Sequence, residues 1–155
     1  MMTERQIEND IATALAALPE LADVQIVKSR SGDKREQGAK TIVSVACGFR
    51  ANDAFSLSPI TLNVAIVAIT RTEQDTDCEE QDKVAEAIAD LLSRWHKDGE
   101  AMSDALTNAK FLAGELRMDG GSARTLDQNS NTWRDTFNFS IRGAERFPDP
   151  TTPNP

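Results

Sequence analysis

Thr132-Trp133-Arg134-Asp135-Thr136-Phe137-Asn138-Phe139-Ser140-Ile141-Arg142 is the stretch that decides the fold. Trp133, Phe137, Phe139 and Ile141 stand at odd positions, and Arg134, Thr136, Asn138, Ser140 and Arg142 at even ones. A strand sends alternate side chains to opposite faces, so this order gives one face to a core and leaves the other polar. The segment therefore reads as a strand.

Ile60 to Arg71 is the longest strand candidate. Ile60, Leu62, Val64 and Ile66 share one face, while Thr61 and Asn63 give way to Ala65, Val67 and Ile69 on the other. A strand apolar on both faces lies inside a sheet, with helices on one side and a further layer or a neighbouring subunit on the other. Thr41 to Cys47 is rich in β-branched residues and reads as a strand, as do Val24 to Lys28 and Phe111 to Met118, the last turning at Asp119-Gly120-Gly121-Ser122.

Between these strands the period changes. Thr3 and Gln6 form a capping-box pattern, and Ile7, Ile11, Leu15 and Leu18 recur at helical spacing, which predicts a helix from about Glu4 to Leu18 that Pro19 ends. Thr76-Asp77-Cys78-Glu79-Glu80 offers an N-cap and an acidic first turn. Beyond it Val84, Ile88, Leu91, Leu92 and Trp95 form one stripe, with Lys83, Glu86, Asp90 and Arg94 left for water and Asp98-Gly99 as the stop. A short helical turn is expected around Met102 to Leu106. Three segments read as connections: Ser29 to Lys40, an exposed mobile loop without a large apolar side chain; Gly48 to Pro59; and the polar stretch Ser122 to Thr132. Four of the six prolines crowd into Pro148 to Pro155, so residues 147–155 are expected to form an extended tail.

The element order predicts a single α+β domain over residues 3–146, with a mostly antiparallel sheet of about five strands and two main helices packed on one face. A chain of 155 residues, 39% of them hydrophobic, suits one core and needs neither disulfides nor a structural metal. Cys47 and Cys78 have no cysteine or histidine at metal-ligand spacing, so both are expected as reduced thiols of a cytosolic product. The start of the chain has no basic segment followed by an apolar run, and the longest apolar stretch, inside Ile60 to Ile69, is too short for a membrane span. Neither export nor membrane insertion is expected. A formal net charge of -8 argues against a dedicated nucleic-acid binder, which needs a basic face for phosphates.

No reactive constellation emerges. His96 is the only histidine and sits at a helix end, where a cation suits the dipole. Cys78 lies at a helix start, but Asp75, Asp77, Glu79 and Glu80 oppose its thiolate. The same acidic run with Asp82 lacks the glycine and spaced glutamate of a calcium hand, and Asp119-Gly120-Gly121-Ser122 lacks a phosphate loop's continuation. The expectation is a protein that is no enzyme and has no catalytic, cofactor or metal site. Two greasy faces on one central strand, with helices enough for only one, point instead to subunit contacts.

The short helix ending at Leu18-Pro19, the pair Thr41 to Cys47 and Ile60 to Arg71, the helix Asp77 to Trp95 and the closing strand resemble, over residues 3–143, the tail-terminator family of tailed bacteriophages. The resemblance implies a structural virion protein that forms a hexameric ring, caps the tail tube, meets the head-tail connector and lets DNA pass without specific binding. Its place is then the tail or neck of the virion, after assembly in the host cytoplasm. Docking contacts are expected on the loops, through Arg30, Lys34, Arg35 and Arg124, with Arg134 and Arg142 as inter-subunit partners. A head-side neck protein and a non-viral α+β ligand-binding domain are the alternative readings.

Overall fold

The computed structural model describes residues 2–28, 41–51, 60–75, 77–107, 111–119 and 123–145. Helix α1 spans Met2–Ala16, and Ile7, Ile11 and Leu15 are fully buried, as their spacing predicts. It ends two residues before the expected Leu18. Pro19 then opens a single 3-10 turn, Pro19–Leu21, which tucks Leu21 into the core. Strands β1 (Gln25–Lys28), β2 (Thr41–Ala51) and β3 (Ile60–Arg71) follow, and β2 runs four residues past Cys47 into the segment expected as a turn. Helices α2 (Glu79–Lys97) and α3 (Gly99–Ala105) precede β4 (Phe111–Met118), β5 (Ala123–Asp127) and β6 (Thr132–Glu145).

The six strands make one sheet in the order β1-β2-β3-β6-β4, with β5 also on β6. Only β1 and β2 run parallel; every other pair is antiparallel. β6 pairs with β3 along twelve consecutive positions, from Ile60↔Gly143 to Arg71↔Thr132. Its other edge is shared, β4 holding its second half and β5 its first. The sheet is thus of the expected α+β kind, with one strand more than the sequence reading gave it.

That strand, β5, corrects the loop expected over Ser122 to Thr132. Ala123-Arg124-Thr125-Leu126-Asp127 pairs with Thr136 to Thr132, and a turn held by Asp127 joins the two strands. Asp127 Oδ1 accepts from Asn129 N at 3.0 Å and Ser130 N at 3.4 Å, the reach of an Asx turn. Asn131 adopts a left-handed φ of 51°, which asparagine tolerates better than most residues.

Three helices cover one face of the sheet. α1 packs on β1 and β2, α2 on β3 and β4, and α3 on β4. Beneath them lie Val43 and Val45 of β2, Leu62, Val64, Ile66 and Ala68 of β3, Leu116 of β4, and Phe137, Phe139 and Ile141 of β6. Fully burying such side chains contributes about 1.5–3 kcal/mol each. The helix side closes with Ile88, Leu91, Leu92, Trp95, Met102 and Leu106.

Polar ties also fix the helices on this core. Cys47 N donates to Glu8 Oε2 of α1 at 2.9 Å, beside the register shift between Cys47 and Arg50. His96 Nδ1 lies 2.9 Å from Leu116 O; a carbonyl can only accept, so the ring nitrogen carries the proton and pins the end of α2 to β4. The α2–α3 junction is a cap: Asp98 Oδ1 accepts from Glu100 N at 3.1 Å and Ala101 N at 3.2 Å.

Candidate functional site

The face of the sheet opposite the helices is where the sequence leaves unfinished business. Alternation in β2, β3 and β6 sends Ile42, Ser44 and Ala46, then Asn63, Ala65, Val67 and Ile69, then Arg134, Thr136, Asn138 and Ser140 to that side, and the strand register sets them opposite one another. Ile42 stands across from Ile69, and Ile69 from Arg134. Ile69 and Val27, 6% and 7% exposed, are buried yet lie outside the core cluster under the helices. Ile42, Ala65 and Val67 are half-buried, Asn63 and Asn138 exposed. No described helix packs on this face.

Arginines frame the apolar strip. Arg71 ends β3, Arg117 of β4 stands across from Ser140, and Arg134 and Arg142 belong to β6. Arg71, Arg117 and Arg142 are exposed. Carboxylates accompany some of them: Arg134 Nη2 lies 3.6 Å from Asp127 Oδ2, and Glu115 stands opposite Arg142 in the register. Asp119 lies beside Ala46, Asn63, Ala65 and Asn138 around a hollow of about 360 Å³. Among the described residues Arg71 and Arg117 make no ion pair.

On the helix side, one end of the sheet carries a buried polar network. Asp75, just ahead of α2, receives Glu80 N at 3.1 Å on Oδ1 and Gln81 N at 2.9 Å on Oδ2. It therefore supplies the cap that the sequence reading placed at Thr76-Asp77. The N-cap position itself is Cys78, in a left-handed conformation with φ 59° and no cap hydrogen bond from its side chain. Gln81, fully buried, uses both amide hydrogens, on Ala68 O and on Asp135 Oδ2, each at 3.0 Å. Its oxygen accepts from Thr70 Oγ1, which leaves the Thr41 hydroxyl, 3.1 Å away, to donate to Thr70.

Arg124 closes the network. Its Nε lies 3.2 Å from both Asp135 oxygens, its Nη2 2.9 Å from Oδ2, and its Nη1 bonds Asp82 of α2. Hydrogen bonding to Asp135 and then Asp82 raises the guanidinium's pKa further above its ordinary value, against the opposing effect of burial. The same surroundings act on Cys78. Burial pushes its thiol up, Asp75, Asp82 and Asp135 add to that, and the pull of Arg124 does not cancel it. Such a thiol is a poor nucleophile at neutral pH.

Of the residues singled out in the sequence, Arg124 thus lies on the helix side of the sheet with its guanidinium engaged within the chain, while Arg134 and Arg142 both lie on the open face, toward opposite ends of the β3–β6 ladder. Arg30, Lys34 and Arg35 lie outside the described residues, as do the whole of the loop Ser29 to Lys40 and the tail 147–155. Gln81, Asp75 and Asp135 were missed, although a signal was present. Position 81 falls on the stripe of Val84, Ile88 and Trp95, and position 135 on the core side of a strand otherwise lined by Trp133, Phe137, Phe139 and Ile141.

Among the described residues no three His, Cys, Asp or Glu side chains could hold a metal ion. The hollow of about 680 Å³ at the edge of β4, lined in part by Gly99, Ser103, Gly114, Glu115 and Arg142, is broad and open. No described helix is long and apolar enough to cross a membrane. No protein-family model matches the chain, and no curated protein is significantly similar to it.

Proposed function

We propose that this chain is a structural subunit that works in copies, closing a ring on the tail tube of a bacteriophage and joining it to the neck. The reading draws on the resemblance of its elements to tail terminators. It rests above all on one observation, the sheet face opposite the helices, where half-buried Ile42, Ala65 and Val67 lie around buried Ile69 inside a frame of arginines with no described helix over them. Apolar surface left in water forgoes about 25 cal/mol for each Å². A face with an apolar centre and an arginine-rich, polar rim has the composition of a protein–protein interface. Ring closure by identical copies is one way to satisfy such a surface without open-ended growth. DNA passage fits a net charge of -8, since an acidic wall does not hold phosphate.

The test is assembly. Mixed with purified tail-tube protein, the chain is expected to cap tubes at defined ends in negative-stain images, and native mass measurement of the capped ends is expected to give about six copies. Tube growth that continues unchanged in its presence sinks the proposal.

A further inference from the structure

Strand β5 is held to the molecule differently from the rest of the sheet. It pairs with β6 alone, Arg124, Thr125 and Leu126 are exposed, and no described side chain of it belongs to the core cluster. β4, its neighbour along the same border, packs against α3 and sends Ala113 and Leu116 into the core. The two strands also hold separate stretches of that border. β5 pairs up to Thr136 and β4 from Phe139 onward, with Asp119 N donating to Asn138 O at 2.9 Å between them. The start of β6 is fixed without β5, since Asn131 O accepts from Thr72 N at 2.9 Å and from Thr72 Oγ1 at 3.1 Å, and β6 is paired with β3 throughout. Beyond its ladder β5 is fastened by charge. Asp127 meets Arg134 of β6, and Arg124 reaches both Asp135 of β6 and, past it, Asp82 of α2.

We propose that β5 is a strap clasped by Arg124, which opens as a unit while β6 stays bonded to β3 and the helix layer stays packed. The cost of a local opening is set by what the element loses on leaving, so an element with few buried apolar contacts opens far more readily than the core. β5 loses its ladder bonds and the Arg124 contacts, but no described side chain of the core cluster. Among these ties the guanidinium on a nearly buried carboxylate is the strongest, because charge-assisted hydrogen bonds exceed neutral ones. Arg124 therefore sets how often the strap opens. Once open, it bares the border of β6 from Thr132 to Thr136, a row of backbone N–H and C=O groups of the kind that receives an incoming strand. Such opening needs neither a ring nor a tail tube.

Native-state hydrogen exchange, followed by NMR on the full chain, tests the strap. Successive backbone groups of β6 face alternate neighbours, so within Thr132 to Thr136 some N–H groups point to β5 and the others to β3. The β5-facing amides are expected to exchange at least about tenfold faster than the β3-facing ones, and to respond less to urea. Ile11→Val lies in α1, which packs on β1 and β2, and is felt only by global unfolding. It is expected to speed the β3-facing amides about threefold or more and to leave the β5-facing ones unchanged. Arg124→Met is expected to speed the β5-facing amides about tenfold. Arg124→Lys, which keeps the charge and loses the fork, is expected to speed them less, at a smaller cost to folding. β5-facing amides as slow as the β3-facing ones, or quickened along with them by Ile11→Val, overturn the strap. Exchange that both Arg124 forms leave unchanged overturns the clasp.

Discussion

Gln81 of α2 donates to Asp135 of β6 across 3.0 Å, and this hydrogen bond joins the helix layer to the strand at the centre of the sheet. Both side chains are buried, so whatever lacks a partner there loses solvation without compensation.

Gln81→Leu keeps the bulk and removes every hydrogen bond that the amide makes. Thr70, Ala68 O and Asp135 each lose a partner, and a loss of about 2–4 kcal/mol is expected in urea unfolding. A change under about 0.5 kcal/mol contradicts the network's role in stability.

Arg124 divides its contacts between a carboxylate that is 7% exposed, Asp135, and one that is 56% exposed, Asp82. Double-mutant cycles with Arg124→Met are expected to give a coupling of about 1–2 kcal/mol with Asp135→Asn, and under about 1 kcal/mol with Asp82→Asn. The first figure is kept low because about a third of the Arg124 side chain meets water. Equal couplings contradict the assignment.

Gly99 opens α3 where the helix meets the bulge of β4. A Cβ at that position comes within 3.0 Å of Gly114 O, a backbone atom that cannot swing away. Gly99→Ala is expected to cost about 1–3 kcal/mol and to lower the melting temperature, although alanine is the better helix former elsewhere. An unchanged or higher melting temperature rules out the close approach.

Asp127 is held below the ordinary carboxyl range, first by the hydroxyl of Ser130, then by backbone N–H groups of Asn129 and Ser130 and by Arg134, against a smaller opposing effect of desolvation. Since its folded value is depressed, its contribution is fully present above the unfolded carboxyl's pKa and is lost as pH falls through the folded one. An NMR titration is expected to find Asp127 below the ordinary carboxyl range, and Ser130→Ala to move it back up. A midpoint that Ser130→Ala leaves in place excludes the hydroxyl as the main cause.

Cys78 is expected to react with iodoacetamide at neutral pH more slowly than free cysteine, because burial and three carboxylates raise its thiol. Asp82→Asn is expected to speed the reaction. A rate at or above that of free cysteine refutes the assignment.

Much of this was legible in the chain itself. The stripe of Val84, Ile88 and Trp95 marked α2, and the alternation of Phe137, Phe139 and Ile141 marked β6, because burial on one side imposes a period that composition cannot hide. β5 escaped for the opposite reason. Arg124 and Asp127 engage charges on opposite sides of the sheet and Leu126 is 45% exposed, so an edge strand with little core to face reads as a polar loop. The network at Gln81 and Asp135 escaped because a polar residue on a core period looks like noise until its partner, far along the chain, is beside it.

The central position of β6 has a consequence for how the protein comes into being. It is synthesised after every other described strand, yet it fills the gap between β3 on one flank and β4 and β5 on the other. Until it leaves the ribosome β3 has a bare border and Asp135 is not there to meet Gln81, so the domain cannot knit together piecemeal. A nascent chain stalled before Thr132 should be sticky and chaperone-bound, and sheet and helix layer should mature in a single late step.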